Sequence, residues 1–129
     1  MRWKNNIKIT TFNPLIVTAR ADELISLFKD LGFEVRHEKK ELDSVATRDV
    51  RMRNANGNHI DIVQMDQMPQ NLTQIRMNVD HFDEAYAFLT EKGFTNPRGG
   101  QTVDTKTNKS CMMRSPSGFA FDLCQHIKD

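Results

Sequence analysis

Two aspartates, Asp61 and Asp122, each stand four residues after a glycine and three before a glutamine. The two settings, Gly57–Asp61–Gln64 and Gly118–Asp122–Gln125, lie 61 residues apart. Carboxylates placed this way can act as general bases, and they can equally form half-buried ion pairs with a neighbouring Arg or His. Basic groups stand at matching parity. His59 precedes Asp61 by two residues and so shares its side of a strand; it is the candidate catalytic acid/base group near neutral pH, or else a hydrogen-bonded structural histidine. Arg76 follows Gln74 by two, and its guanidinium could clamp a carboxylate or phosphate or pair with one of the aspartates. Arg53 and Arg114 recur at the 61-residue spacing, as an anion-attracting rim or as solvated hairpin flanks. With Arg51, Asn78, Met112 and Leu15 they complete the candidate ligand-binding set, Met112 and Leu15 adding the apolar surface a small-molecule pocket needs.

The elements that must position these residues also repeat. Sliding the chain against itself by 61 residues pairs Asp22-Glu23 with Asp83-Glu84, Gly32-Phe33 with Gly93-Phe94, and Met52-Arg53 with Met113-Arg114. About three identities would arise by chance over the stretch from Asn13 to Gln64, and ten are found. Within the first copy, β-formers from Ile7 to Thr18 predict a strand, and Ala21, Leu24, Ile25 and Phe28 at helical spacing predict a helix closed by Gly32. Three strands follow, the last two joined at the hairpin signal Asn56-Gly57. The second copy repeats the order, with Phe82, Ala85, Tyr86 and Leu89 as the buried stripe of its helix. The chain is expected to be one α+β domain over 1–129, built of unit one (7–65) and unit two (72–127) joined by a linker at 66–71. Strand alternation puts Ile60, Ile62, Met77, Val79, Phe121 and Leu123 beneath the helices and leaves an unusually polar opposite face. If the sheet curves round that face, its residues line a cup.

Composition excludes several classes. With 38% hydrophobic and 27% charged residues the chain can bury a core, and a formal charge of +1 gives no general reason to bind nucleic acid or an anionic membrane. No apolar run approaches membrane-spanning length and no apolar stretch follows the charged N-terminus, so the cytoplasm is the expected compartment. Two cysteines, Cys111 and Cys124, are too few for a disulfide framework. Trp3 lies outside the repeat, where it could pack as part of an N-terminal arm or fray.

Two tandem strand-helix-three-strand units, each ending in a Gly-x-x-x-acid strand and each with a helix stopped by Gly-Phe, resemble the vicinal oxygen chelate superfamily. That group includes glyoxalase I, bleomycin and fosfomycin resistance proteins and extradiol dioxygenases. The resemblance runs from about Ile7 to His126 and implies tandem βαβββ units forming a curved mixed sheet around a cup, with helices on the outer face. It also implies a homodimer. In metal-dependent members the ligands, usually His or Gln on the first strand of each unit and Glu on the last, occupy positions that here hold Asn13, Asp61, Gln74 and Asp122, none of them His or Glu. An all-oxygen set would favour Mg²⁺, Mn²⁺ or Ca²⁺ over Zn²⁺ or Fe²⁺. The resemblance therefore implies a protein that binds a small polar or anionic molecule in the cup without a catalytic metal, as bleomycin resistance proteins do. A glyoxalase-type lyase or isomerase using a divalent metal (Mg, Mn or Ni) is the alternative, and an interaction module with a filled cup the third reading.

Overall fold

The computed structural model describes residues 7–40, 46–104 and 108–126, so Trp3 and the charged turn around 41–43 lie outside the described residues. The order strand, helix, three strands occurs twice. It runs β1 (Ile9–Thr18), α1 (Ala21–Asp30), β2 (Glu34–Lys40), β3 (Ala46–Arg53) and β4 (His59–Met65). It resumes with β5 (Leu72–Val79), α2 (Phe82–Glu91), β6 (Val103–Asp104), β7 (Asn108–Arg114) and β8 (Ala120–His126). The architecture is α+β, with mixed parallel and antiparallel strand pairing and flanking helices.

Two compact units are present: residues 13–74, and residues 7–12 together with 75–126. In the first, the strand order is β2-β3-β4-β1, with β1 and β4 parallel and the other pairs antiparallel. In the second, the order β5-β8-β7-β6 repeats that pattern, with β5 parallel to β8. The N-terminal residues belong to the second unit through specific bonds. Ile7 is buried in its core, the Lys8 N–H donates to Asp80 Oδ1 at 2.6 Å, and the Asp80 N–H donates back to the Lys8 carbonyl at 3.1 Å.

Each helix covers one face of its own unit's strands. In the first unit Ala21 and Ile25 of α1 pack on Val50, Met52, Ile60 and Ile62, with Leu24 and Phe28 at the margin. In the second, Phe82, Ala85 and Leu89 of α2 pack on Met77, Val79, Cys111, Met113, Phe121 and Leu123. These are the alternate strand positions that the sequence places beneath the helices. The opposite face of the first unit carries a smaller apolar cluster of Leu15, Val17 and Val63. Gly32 (φ +96°) and Gly93 (φ +94°) end the helices in the left-handed region; at Gly93 a Cβ would also lie 3.1 Å from Pro116 Cγ.

The glutamines of the repeated motif explain how each helix begins. Neither N-cap residue, Arg20 or His81, supplies a side-chain cap. The missing acceptor comes from the last strand: Gln64 Oε1 accepts from the Ala21 N–H at 2.8 Å, and Gln125 Oε1 accepts from the Phe82 N–H at 2.7 Å. Gln64 also donates through Nε2 to the Ala19 carbonyl at 2.6 Å, fastening β4 to the chain that enters α1. Replacing either glutamine by alanine leaves a helix-start donor without its partner and should destabilise the protein by about 1 kcal/mol. Urea unfolding of Gln64→Ala and Gln125→Ala checks this, and wild-type stability in both would show that the caps contribute nothing.

Candidate functional site

Strand register places each aspartate between two side chains of different character. In the first unit Asp61 on β4 lies opposite Arg51 of β3 on one side and Leu15 of β1 on the other. In the second unit Asp122 on β8 lies opposite Arg76 of β5 and Met112 of β7. Each carboxylate therefore has one arginine and one apolar neighbour, with the sides exchanged between the units. Arg51 occupies the place that Met112 takes in the second copy, and Arg76 the place that Leu15 takes in the first.

Asp61 is fully buried, which makes pairing obligatory. Arg51 supplies it with a two-pronged contact, Nε to Oδ1 and Nη2 to Oδ2, both at 2.7 Å. Asn13 closes the network: its Nδ2 donates to Asp61 Oδ2 at 3.0 Å, and its Oδ1 accepts from Arg51 Nη2 at 3.2 Å. In the second unit Arg76 Nε donates to Asp122 Oδ2 at 2.9 Å, with both side chains largely withdrawn from solvent. Of the two readings open for the aspartates and for Arg76, the ion-pair geometry is the one present. Among the described residues no group of three or more His, Cys, Asp and Glu stands where it could hold a metal.

The remaining candidates separate. Gln74 is half-buried on β5 within the first unit, Arg53 and Arg114 are exposed at hairpin flanks, and Met112 is half-buried on β7. Asn78, next along β5 from Arg76 on the same face, is buried and satisfies only part of its amide. Its Nδ2 donates to Thr11 Oγ1 at 2.7 Å, while its Oδ1 has no hydrogen-bond partner among the described residues. Cys124 sits opposite it in register, buried, and Arg76–Asp122 forms the adjoining row. Leu15, Val17 and Val63 of the first unit correspond at the 61-residue spacing to Arg76, Asn78 and Cys124. One unit thus uses this patch for apolar packing and the other fills it with polar groups.

His59 is held below its ordinary value of 6.5, first by burial and then by the positive charges of Arg51 and Arg53, with Asp61 opposing and Arg36 adding the smallest contribution. Both causes favour its neutral form. Cys111 is pushed up to about 11, mainly by burial with a contribution from Asp122, and stays a thiol. Sequence reasoning missed the Gln64 and Gln125 caps and the side from which each arginine reaches its aspartate. The glutamines were visible as repeated residues, but a cap made by a distant strand has no local signal.

No protein-family model matches the chain, and no curated protein matches it in sequence. Solved structures match it in fold. Methylmalonyl-CoA epimerase from Streptomyces coelicolor in complex with 2-nitronate-propionyl-CoA has a TM-score of 0.70 at 12% identity, covering 94% of this chain and 100% of that one. A hypothetical protein from Bacillus halodurans C-125 has a TM-score of 0.71 at 10% identity, covering 97% and 98%. A glyoxalase/bleomycin resistance protein/dioxygenase superfamily member from Vibrio splendidus 12B01 has a TM-score of 0.57 at 21% identity, covering 89% and 97%. At such identities the likeness establishes a shared fold, and that fold is the one the sequence resembles.

Two outcomes follow from the site's electrostatics. Arg51→Met strands a buried carboxylate and should cost about 3–5 kcal/mol, most of it regained when Asp61→Asn is added. A double variant as unstable in urea as the single one would show that uncompensated charge is not the cause. His59 binds protons less well in the folded than in the unfolded chain, so stability should fall as pH drops below about 6.5. The His59→Gln variant should flatten that part of the stability curve, and an unchanged slope would assign it to another group.

Proposed function

We propose that this protein binds a small polar or anionic molecule on the face of the second unit turned away from α2, without a catalytic metal. The observation that carries this reading is Asn78, whose buried Oδ1 lacks a partner beside the Arg76–Asp122 row. A buried acceptor left unmatched costs about 1–3 kcal/mol, a cost retained where a ligand's N–H or O–H meets that oxygen. The apolar solution for the same patch exists in the first unit, as Leu15, Val17 and Val63, so the polar set is not a requirement of the fold.

The oxygens that the resemblance assigns to a metal do not suit one. Both oxygens of Asp61 already accept from Arg51, and Asn13 Oδ1 accepts from the same guanidinium. A divalent cation bound there would stand beside a fixed positive charge. Asp122 carries the same handicap through Arg76. We place the protein with the sequestering rather than the metal-catalytic members of the fold, as a homodimer in the cytoplasm, and assign His59 no proton-transfer role.

The test is a thermal-melt screen of small carboxylates, phosphates and polyols on the wild type and Asn78→Val, the variant that copies the first unit's residue. Asn78→Val should fold with equal or slightly greater stability, since it removes a half-satisfied buried amide. It should weaken the binding of any stabilising compound about tenfold, which corresponds to about 1.4 kcal/mol. Mg²⁺, Mn²⁺, Ni²⁺ and a chelator should leave both melting and binding unchanged. Binding that needs a metal and is lost in Asp61→Ala/Asp122→Ala would overturn the proposal in favour of the lyase or isomerase reading. So would undiminished affinity in Asn78→Val.

A further inference from the structure

The first unit has a separate groove of about 290 Å³, lined by Gly32, Glu34 and Arg36 where the chain enters β2 and by Arg53, Asn54 and Ala55 where it leaves β3. We propose that this groove binds a small oxyanion: a phosphate or carboxylate group on a molecule that also carries a hydroxyl or ammonium donor.

The first unit holds five arginines, at 20, 36, 48, 51 and 53. Arg20, Arg48 and Arg51 each bond a carboxylate, on Glu23, on Asp22 and Glu38, and on Asp61 respectively. Arg36 and Arg53 do not: among the described residues neither guanidinium has an ion-pair or hydrogen-bond partner, and both line the groove. The two guanidiniums of the unit that bond no carboxylate among the described residues are therefore gathered at one concave place, with Glu34, opposite Arg53 in the β2–β3 register, beside them. His59, directly opposite Arg53 in the β3–β4 register, senses that charge. Arg51, Arg53 and Arg36 all oppose its protonation, against the single carboxylate of Asp61.

The walls of the groove are fixed. Asn54 Oδ1 accepts from the N–H groups of Asn56 and Asn58, and the Asn54 N–H donates to the Asn58 carbonyl at 3.0 Å. Gly57 (φ +85°) completes the turn beside Arg53, where a Cβ would lie 4.0 Å from Arg53 Nη2. On the other wall the pairing of β2 with β3 shifts between Val35 and His37, so Arg36 is the extra residue of a bulge, a device that re-aims a side chain. Two guanidiniums on such walls match the oxygens of a phosphate or carboxylate. Glu34, in the same groove, accepts from a ligand hydroxyl or ammonium and disfavours a larger polyanion. The volume lies at the lower end of ligand pockets, so the molecule is small.

The experiment is an amide NMR titration of the full chain with glycerol 3-phosphate, malate and inorganic phosphate, with sodium chloride at matched ionic strength as control. Saturable shifts at Gly32, Asn54 and Ala55 are expected with glycerol 3-phosphate or malate, and the compound that saturates identifies the anionic group. Inorganic phosphate, lacking a carbon-borne donor, should bind more weakly. Arg36→Gln and Arg53→Gln, both at exposed positions that the fold does not need, should each weaken binding at least tenfold. The ring protons of His59 should titrate at higher pH in the bound state, as the ligand offsets the guanidinium charge. Shifts that never saturate, that sodium chloride reproduces, or that survive both substitutions unchanged would overturn the proposal. Because these variants leave Asn78 untouched, the outcome is independent of the site on the second unit.

Discussion

A carboxylate with no solvent exposure cannot remain ionised without a matched donor set, and Asp61 imposes that condition on the whole first unit. Its donors come from two different strands. Arg51 must reach it from β3 and Asn13 from β1, so the three strands have to meet in one register for the charge to be compensated. A one-residue slip of β3 would turn Arg51 towards the helix-covered face and leave the carboxylate unpaired. The pair adds little net stability over an apolar replacement, yet it penalises wrong registers heavily. Specification of the strand pairing, rather than strength, is what the buried charge contributes.

The motif around each aspartate distributes three structural jobs along one hairpin arm. Gly57 and Gly118 take positive φ in the turn, Asp61 and Asp122 hold an arginine, and Gln64 and Gln125 cap the helix of the same unit. The last strand of each unit therefore fixes its own turn, its neighbours' register and the start of its helix. Such constraints act through a few polar groups and leave the core free to vary in sequence. This is consistent with a fold retained at 10–21% identity to solved structures.

Much of this was legible in the sequence, because burial periodicity and turn chemistry act locally. The helices, their glycine stops, the hairpins and the side chains beneath the helices all follow from spacing. Four features were not legible. Which of two flanking strands supplies the arginine depends on register between strands far apart in the chain, and Arg51 and Arg76 make opposite choices. The glutamine caps bridge 43 residues in each unit, beyond any local pattern. The grouping of residues 7–12 with the second unit rests on Ile7 and on the Lys8–Asp80 bonds, which a continuous run of β-formers does not disclose. The groove at Arg36 and Arg53 was invisible for a similar reason: a bulge in β2 aims Arg36, and no glycine or proline between Val35 and His37 signals it.

Two units with one backbone plan differ in the patch on the face away from their helices. In the first, Leu15, Val17 and Val63 form a buried apolar cluster beside the Arg51–Asp61 ion pair. In the second, the same positions hold Arg76, Asn78 and Cys124, with a buried amide oxygen left unmatched. If burial alone had set both patches, the apolar set that already works in one copy would serve in the other, since it satisfies the same backbone without an orphaned acceptor. The polar set costs stability, and a fold that is only marginally stable retains such costs chiefly where a site needs them. The first unit shows the scaffold's own solution to packing, and the proposal for the second is that this solution has been altered to meet a ligand.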